Sequence, residues 1–373
     1  MYCKSLELLD FRNFAGLFLD FPDGPIAVLG RNAQGKSNLL EALLALASGR
    51  GWSHRLLSEL VLTAGGRPRP FARIRAEIAA RDRQTRLELV FAFAPDADGE
   101  PGRRASRRVV VDGKPRRVSS LLGHLNAVHF SPDDIDLLAG SPAERRRFLD
   151  VSISQVDPNY VRDLVDYSRV VSQRNALLRD LRERRGAAEP LDFWDGKLIE
   201  FGERLVLARR QFVESLNREA SLAYRELAGD DESLSVEYST AGGESLSSLA
   251  EFRAREIERG QTLFGPHRDD LEITIDGQSA AAFASRGQQR LVVLSLRLAE
   301  LEWLSRAAGE SPVLLLDDIF SELDPGHREA VIARIPNTAQ VFITAADDAQ
   351  VPVNFRGRAA VLRVNAGNAN WES

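Results

Sequence analysis

Residues 30–37 read GRNAQGKS, set between the apolar run 26–29 (IAVL) and the helix-like stretch 38–46 (NLLEALLAL). Gly30, Gly35, Lys36 and Ser37 occupy the fixed positions of G-x-x-x-x-G-K-[ST], the loop that carries a chain from a buried strand into a helix around a phosphate group. The glycines let the loop's backbone N–H groups, those of Arg31, Asn32, Ala33 and Gln34 included, close around β- and γ-phosphates. Lys36 adds a mobile positive charge, Ser37 offers a hydroxyl to Mg²⁺, and the helix beginning at Lys36 directs its N-terminal dipole at the anion. Chance rarely produces this pattern here, because only Lys4, Lys36, Lys114 and Lys197 of the 49 basic residues are lysine. A nucleoside triphosphate site on an α/β scaffold is the expectation.

The 373 residues allow two or three domains and a sizeable core. Composition is globular, and no apolar run approaches the roughly 20 residues that span a bilayer. The start, MYCKSLELLDFRNF, has charge and no apolar leader core, and Cys3 is the single cysteine. A reducing, cytoplasmic setting without disulfides or a multi-cysteine zinc site is expected, with no membrane partner. The net charge of −5 excludes a general polycation. Between Arg67 and Arg117, however, fourteen basic residues stand against seven acidic ones in strand-like alternation. Their arginines can share one sheet face, either a solvated one or one that tracks phosphates.

The first 140 residues read as strands with one helix, including a hairpin turn at Asp112-Gly113. From about 141 to 260 the pattern turns helical. One amphipathic stretch runs over 160–185, GAAEP breaks it at 186–190, and a second runs over 193–227. Thirty-five residues at 1.5 Å each give a rod of about 50 Å, so an antiparallel helical hairpin is predicted, with an ordinary bundle as the other reading. Strand and helix then alternate over 261–373. The simplest organisation is one α/β domain built from 1–140 and 261–373, with a helical lobe inserted over 141–260.

Two more segments carry chemistry. Val313–Asp318 is an apolar strand ending in two carboxylates. Asp317 is suited to the hydration shell of Mg²⁺, and Asp318 to orienting or deprotonating an attacking water. Ser285-Arg286-Gly287-Gln288 opens a helix predicted over 287–304, where a serine N-cap and amide donors form a second anion-receiving terminus able to meet a γ-phosphate from the other side.

Taken in chain order, with a helical insertion between GRNAQGKS and Ser285, the three segments resemble the ABC-type ATPase head shared by SMC proteins and RecF. Ser285, Gly287 and Gln288 match the serine, second glycine and glutamine of the signature LSGGQ. Ser321-Glu322-Leu323-Asp324 matches the D-loop after the acidic strand, and LLDFRNF, with Arg12 and Asn13, is similar to the opening strand of these heads. VHFSPDDIDLLAGSPAERRRFLD, YSRVVSQRNALLR, GPHRDDL, SRGQQR and LLLDDIFSELD narrow the likeness to the RecF family over nearly the whole chain.

That resemblance implies ATP and Mg²⁺ as cofactors, with Arg12 and Asn13 joining the P-loop residues at the nucleotide. It implies an ATP-dependent homodimer in which the signature of one subunit completes the P-loop site of the other. The closed dimer would bind duplex DNA, favouring junctions with single strands at gaps. With RecR and RecO it would help to load the RecA recombinase, and slow, DNA-stimulated hydrolysis would reopen it.

Two departures from the wider ABC pattern bear on rate. FSPDD carries no Q-loop glutamine, and Ala345-Ala346-Asp347 stands where many ABC ATPases have a switch histidine. An absent γ-phosphate sensor fits a slow timer better than a fast motor. Three rival readings fit the sequence less well. A transporter ATPase would carry a fuller LSGGQ and no long helical hairpin. An overcoming-lysogenisation-type ATPase-nuclease would append a nuclease domain, for which the about 55 residues after Asp317 leave little room. A binding module could use ATP only structurally. His267 in GPHRDDL belongs to the RecF pattern without a physical role legible in sequence.

Overall fold

A computed structural model describes residues 1–49, 63–64, 67–68, 71–95, 101–185, 190–229, 231–241, 249–336 and 339–372. The expected breaker at 186–190 thus lies outside the described residues except for Pro190. The chain divides into two compact units, Met1–Asp134 with Glu300–Ser373, and Ile135–Ala299. Both chain ends share the first unit. The boundaries drawn from composition lie near 140 and 260, and the division into compact units falls at 134 and 299, the latter inside the helix Arg286–Ala308. Strand character returns after 260 because a strand pairs within the second unit, a tertiary fact that composition does not carry.

The first unit holds two sheets. In one, the strands run in the order Phe14–Asp20, Tyr2–Phe11, Phe71–Ala80, Arg83–Pro95, Pro101–Val111 and Lys114–Arg116, all antiparallel. Alternation in Tyr2–Phe11 buries Leu6 and Leu8 and turns Glu7 to the opposite face. The second sheet is mainly parallel, in the order Ala127–Phe130, Val313–Asp317, Val341–Ala345, Pro25–Leu29 and Ala360–Asn365, with Asn368–Trp371 antiparallel at its edge. Its central strands are apolar at nearly every position, as a sheet covered on both faces requires. Leu39, Leu43 and Leu46 of the helix Lys36–Ser48 share one apolar core with Leu6, Leu89, Val28 and Leu315. Each such leucine contributes about 1.5–3 kcal/mol by leaving water. Gln340 joins the chain ends, accepting from the Cys3 N–H at 2.8 Å and donating to the Cys3 carbonyl at 2.9 Å.

In the second unit, helices Pro158–Arg182 and Pro190–Ala228 pack against each other. Arg174 bonds Asp195, and Arg204 reaches Asp163, so rising numbers on one helix meet falling numbers on the other. The pair is an antiparallel hairpin. Asp157 starts the first helix by accepting from the N–H groups of Asn159 and Tyr160, with Pro158 at the first helical position. Strands Leu234–Ser239 and Asp270–Ile275 pair antiparallel and join the helix Pro142–Ser154 in this unit.

Buried charge is the unit's distinguishing feature. Arg174, fully buried, donates to Asp195 at 2.7 Å, Glu256 at 2.5 Å and Thr262 at 3.0 Å. Arg209 bonds Asp150, the Tyr160 hydroxyl and the Pro266 carbonyl. His267 sits between them, Nδ1 at 2.7 Å from the Tyr167 hydroxyl and Nε2 at 3.3 Å from the Thr262 carbonyl. GPHRDDL is therefore a polar keystone of the helical unit.

Candidate nucleotide site

The strand Pro25–Leu29 lies between Val341–Ala345 and Ala360–Asn365, and its C-terminal end delivers the loop 30–35. Gly30 passes so close to the neighbouring strand that a Cβ there would lie 2.2 Å from the Val364 carbonyl oxygen. Gly35 has φ 117°, and a Cβ there would lie 2.6 Å from Asn13 Nδ2, so both the backbone conformation and the close approach favour glycine. Both motif glycines are thus steric requirements of this fold as well as of phosphate approach.

Lys36 Nζ donates to the Gly30 carbonyl at 2.6 Å and to that of Arg31 at 3.2 Å, which holds the ammonium over the loop. Burial pushes its pKa down, against the opposing pull of Asp318 and Asp317. Ser37 Oγ donates to Asp317 Oδ1 at 3.0 Å. Thr344, from the adjacent parallel strand, donates to the same oxygen at 2.6 Å and accepts from the Asp318 N–H at 2.9 Å. Burial raises the Asp317 pKa, with the bonds from Thr344 and Ser37 acting the other way. A half-buried carboxylate beside a serine hydroxyl is a hard-oxygen donor set, and a divalent cation such as Mg²⁺ suits it. Asp318 follows with φ 53° and ψ 20°, a left-handed turn off the strand, and its carbonyl accepts from Ser321 Oγ at 2.7 Å. Asp324 caps the helix Pro325–Arg334, accepting from the Gly326 N–H at 3.0 Å and the His327 N–H at 3.2 Å.

Arg12 and Asn13 reach the P-loop as braces. Arg12 forms a two-pronged ion pair with Glu41 of the P-loop helix, both bonds 2.7 Å. Asn13 Nδ2 donates to the Gln34 carbonyl at 2.7 Å, and Asn13 Oδ1 accepts from Asn38 at 2.9 Å. The turn of the C-terminal hairpin completes the frame: the Ala366 N–H donates to Gln34 Oε1 at 2.7 Å and the Gly367 N–H to the Gln34 carbonyl at 3.3 Å. Glu41, Asn38, Thr344 and this turn were not singled out from the sequence. Only their threonine, asparagine and glutamate chemistry hinted at them, and their pairing partners lie up to 332 residues away.

Ser285, Arg286, Gly287 and Gln288 belong to the second unit and open the helix Arg286–Ala308. Ser285, Arg286 and Gly287 are exposed, with Gln288 half-buried. Ala345 ends the strand beside the P-loop strand, and its carbonyl accepts from the Gly30 N–H at 3.3 Å. The residues after it are occupied locally: the Ala346 N–H donates to Gln350, and Asp347 accepts from the Ala349 N–H. Phe130 of FSPDD pairs in register with Leu316 of the acidic strand.

On the arginine-rich sheet, Arg75 bonds both Glu7 and Glu88, Arg73 bonds Glu7, and Arg86 bonds Glu77. These charges form a matched ladder across one face, as cross-strand pairing favours. The side chains of Arg67, Arg69, Arg103 and Arg104 lie outside the described residues.

Fold and site together define a P-loop ATPase head of the ABC type. Residues 2–365 match the RecF/RecN/SMC N-terminal domain family. The chain is 40% identical over 390 residues to the DNA replication and repair protein RecF of Chloroflexus aurantiacus, covering 98% of this chain and 99% of that one. It is 41% identical over 382 residues to the protein of the same name from Herpetosiphon aurantiacus, with 98% and 99% covered. A solved structure of the recombination mediator protein RecF with ATP, in the RecFOR pathway, superposes with a TM-score of 0.88 at 30% identity, covering 100% of this chain and 98% of that one. An Smc head domain from Pyrococcus furiosus shares the fold at a TM-score of 0.55 and 17% identity, with 100% of this chain and 96% of that one covered. The chain belongs to the RecF family. No helix among the described residues is long and apolar enough to cross a membrane.

Proposed function

We propose that this chain is an ATP-gated, DNA-binding recombination mediator of the bacterial cytoplasm and a slow ATPase. The observation that carries the reading is the bonded cluster of Ser37, Asp317 and Thr344 at the ends of adjacent parallel strands, beside a loop whose Gly30 and Arg31 carbonyls hold the Lys36 ammonium. The full-length likeness to an ATP complex of RecF supports it.

The loop from Gly30 to Gly35 receives the phosphates on its N–H groups, and Lys36 exchanges its carbonyl partners for phosphate oxygens. Ser37 and Asp317 would hold Mg²⁺, which would supply neutralising charge to the triphosphate. Asp318, turned off the strand end, orients or deprotonates the attacking water. Ser285, Arg286, Gly287 and Gln288 act in trans on the γ-phosphate held by a second copy, and Ser321 and Asp324 of the D-loop line the same dimer contact. The triphosphate thus joins two subunits, which bind duplex DNA at the single-strand junctions of gaps. With RecO and RecR the dimer promotes RecA loading, and DNA-stimulated hydrolysis resets it. Ala345-Ala346-Asp347, without a histidine, supports slow turnover.

A second reading, ATP as a structural ligand only, is separated by turnover. In Asp318→Asn the hydrolysis measured with DNA should fall about 100-fold, with ATP binding retained. Unchanged turnover in that variant would remove Asp318 from the chemistry.

A further inference from the structure

The helix that opens at Arg286 begins with a reciprocal cap. Ser285 Oγ accepts from the Gln288 N–H at 3.3 Å, and Gln288 Oε1 accepts from the Ser285 N–H at 2.8 Å. A glutamine amide has one acceptor end and one donor end of nearly the same shape, so it closes this cap in only one of its two orientations. Glu232 selects that orientation. Gln288 Nε2 donates to Glu232 Oε1 at 2.6 Å, and an ionised carboxylate can only accept. The other carboxylate oxygen of Glu232 accepts from the Tyr224 hydroxyl at 2.6 Å. Tyr224 is fully buried on the long helix Pro190–Ala228, so the carboxylate cannot swing away without stranding a buried donor. A continuous chain of hydrogen bonds therefore runs from the end of the long helix, through Glu232 and Gln288, to the backbone of Ser285, all within one compact unit.

We infer that Glu232 is a positioning residue of the ATP site: held by Tyr224, it orients Gln288 and thereby sets the Ser285 terminus that meets the triphosphate of a second copy. The inference rests on the trans-acting signature proposed above. Glu232 touches neither nucleotide nor metal in this role. It acts by removing the alternative amide orientation, in which the Gln288 NH₂ would face the Ser285 N–H, donor against donor. Ordering this cap beforehand spares the dimer that cost when it closes. The long helix gains a route to the site, since a shift at Tyr224 moves the carboxylate that holds the signature.

The test uses the full chain and four variants, Glu232→Ala, Glu232→Gln, Tyr224→Phe and Ser285→Arg. Three quantities are read: affinity of the single subunit for a fluorescent ATP analogue, mass with ATP, and DNA-stimulated turnover. Glu232→Ala should bind the analogue as the parent does, lose turnover about tenfold, and dimerise at about tenfold higher concentration. Glu232→Gln should recover most of the loss, because its carbonyl still accepts from Gln288. Tyr224→Phe should lose about threefold, in the same direction. Parental dimerisation and turnover in Glu232→Ala, beside their loss in Ser285→Arg, would overturn the role of Glu232 alone. Equal losses in Glu232→Ala and Glu232→Gln with matching falls in melting temperature would reduce Glu232 to a structural role, overturning the inference. Parental dimerisation and turnover in Ser285→Arg would overturn the signature reading and this inference with it.

Discussion

The two compact units solve the same problem, holding polar groups at a fixed place, by opposite means. The P-loop unit sets Lys36, Ser37 and Asp317 at the ends of strands whose interiors are almost wholly apolar, and keeps its polar braces at the loop itself, around Gln34, Asn13, Glu41 and Thr344. The helical unit is held inside by charge: Arg174 and Arg209 are buried hubs among carboxylates, hydroxyls and carbonyls. An apolar sheet tolerates the loss of one contact gradually. A buried ion network fails sharply when one member goes, because the remaining charge is left in low dielectric without a partner.

The largest effect should come from Arg174→Ala, which takes the buried guanidinium away from the fully buried Glu256, while Asp195 keeps its ion pair with Arg253. A loss of about 3–5 kcal/mol is expected, read by urea unfolding monitored in the helical unit. ATP binding at the P-loop should survive in urea concentrations where that unit has opened. Simultaneous loss of both signals would break the contrast between the units.

Acid should act next, again on the helical unit. Burial, with Arg268, Arg146 and Arg174 nearby, lowers the His267 pKa from 6.5 to about 4. The fold therefore prefers neutral imidazole, while the unfolded chain takes up a proton below pH 6.5. Stability from this group is full above pH 6.5 and is lost as pH falls toward 4. At most it amounts to about 3 kcal/mol. Denaturation curves at pH 7 and pH 4.5 should show that loss in the parent and much less of it in His267→Gln. A parent with the same midpoint at both values would contradict the buried, neutral histidine.

Thr344→Val keeps the shape and removes the hydroxyl that bonds Asp317 and receives the Asp318 N–H. About 1 kcal/mol of stability and a roughly tenfold loss of turnover are expected, with the helical unit unaffected. Turnover at the parental level would show that the acidic strand needs no hydroxyl support.

What the sequence disclosed follows the same division. GRNAQGKS and VLLLDD were readable because their meaning is local: glycines, one lysine and an apolar run define the turn and the strand by themselves. The hairpin Pro158–Arg182 and Pro190–Ala228 was readable from helical periodicity and a Gly/Pro break. Thr344, Glu41 and the Ala366-Gly367 turn were not, since each acquires its role from a partner brought in by sheet order. The partner of the strand Asp270–Ile275 was hidden for a similar reason: in sequence it looks like the start of the α/β region, and its pairing with Leu234–Ser239 comes only from the fold. The arginine-rich strands left a solvated face and a phosphate-tracking face equally open in sequence, and only their register shows Arg75 set between Glu7 and Glu88.

The central claim is that ATP, held by the first unit and read by the signature of the second in another copy, gates DNA binding. Binding to a gapped duplex at fixed salt, with ATP, with ADP and without nucleotide, with the mass of the protein followed alongside, tests it most directly. Tight binding by a dimer with ATP alone is the predicted result. Equal binding by a monomer in all three states would contradict it.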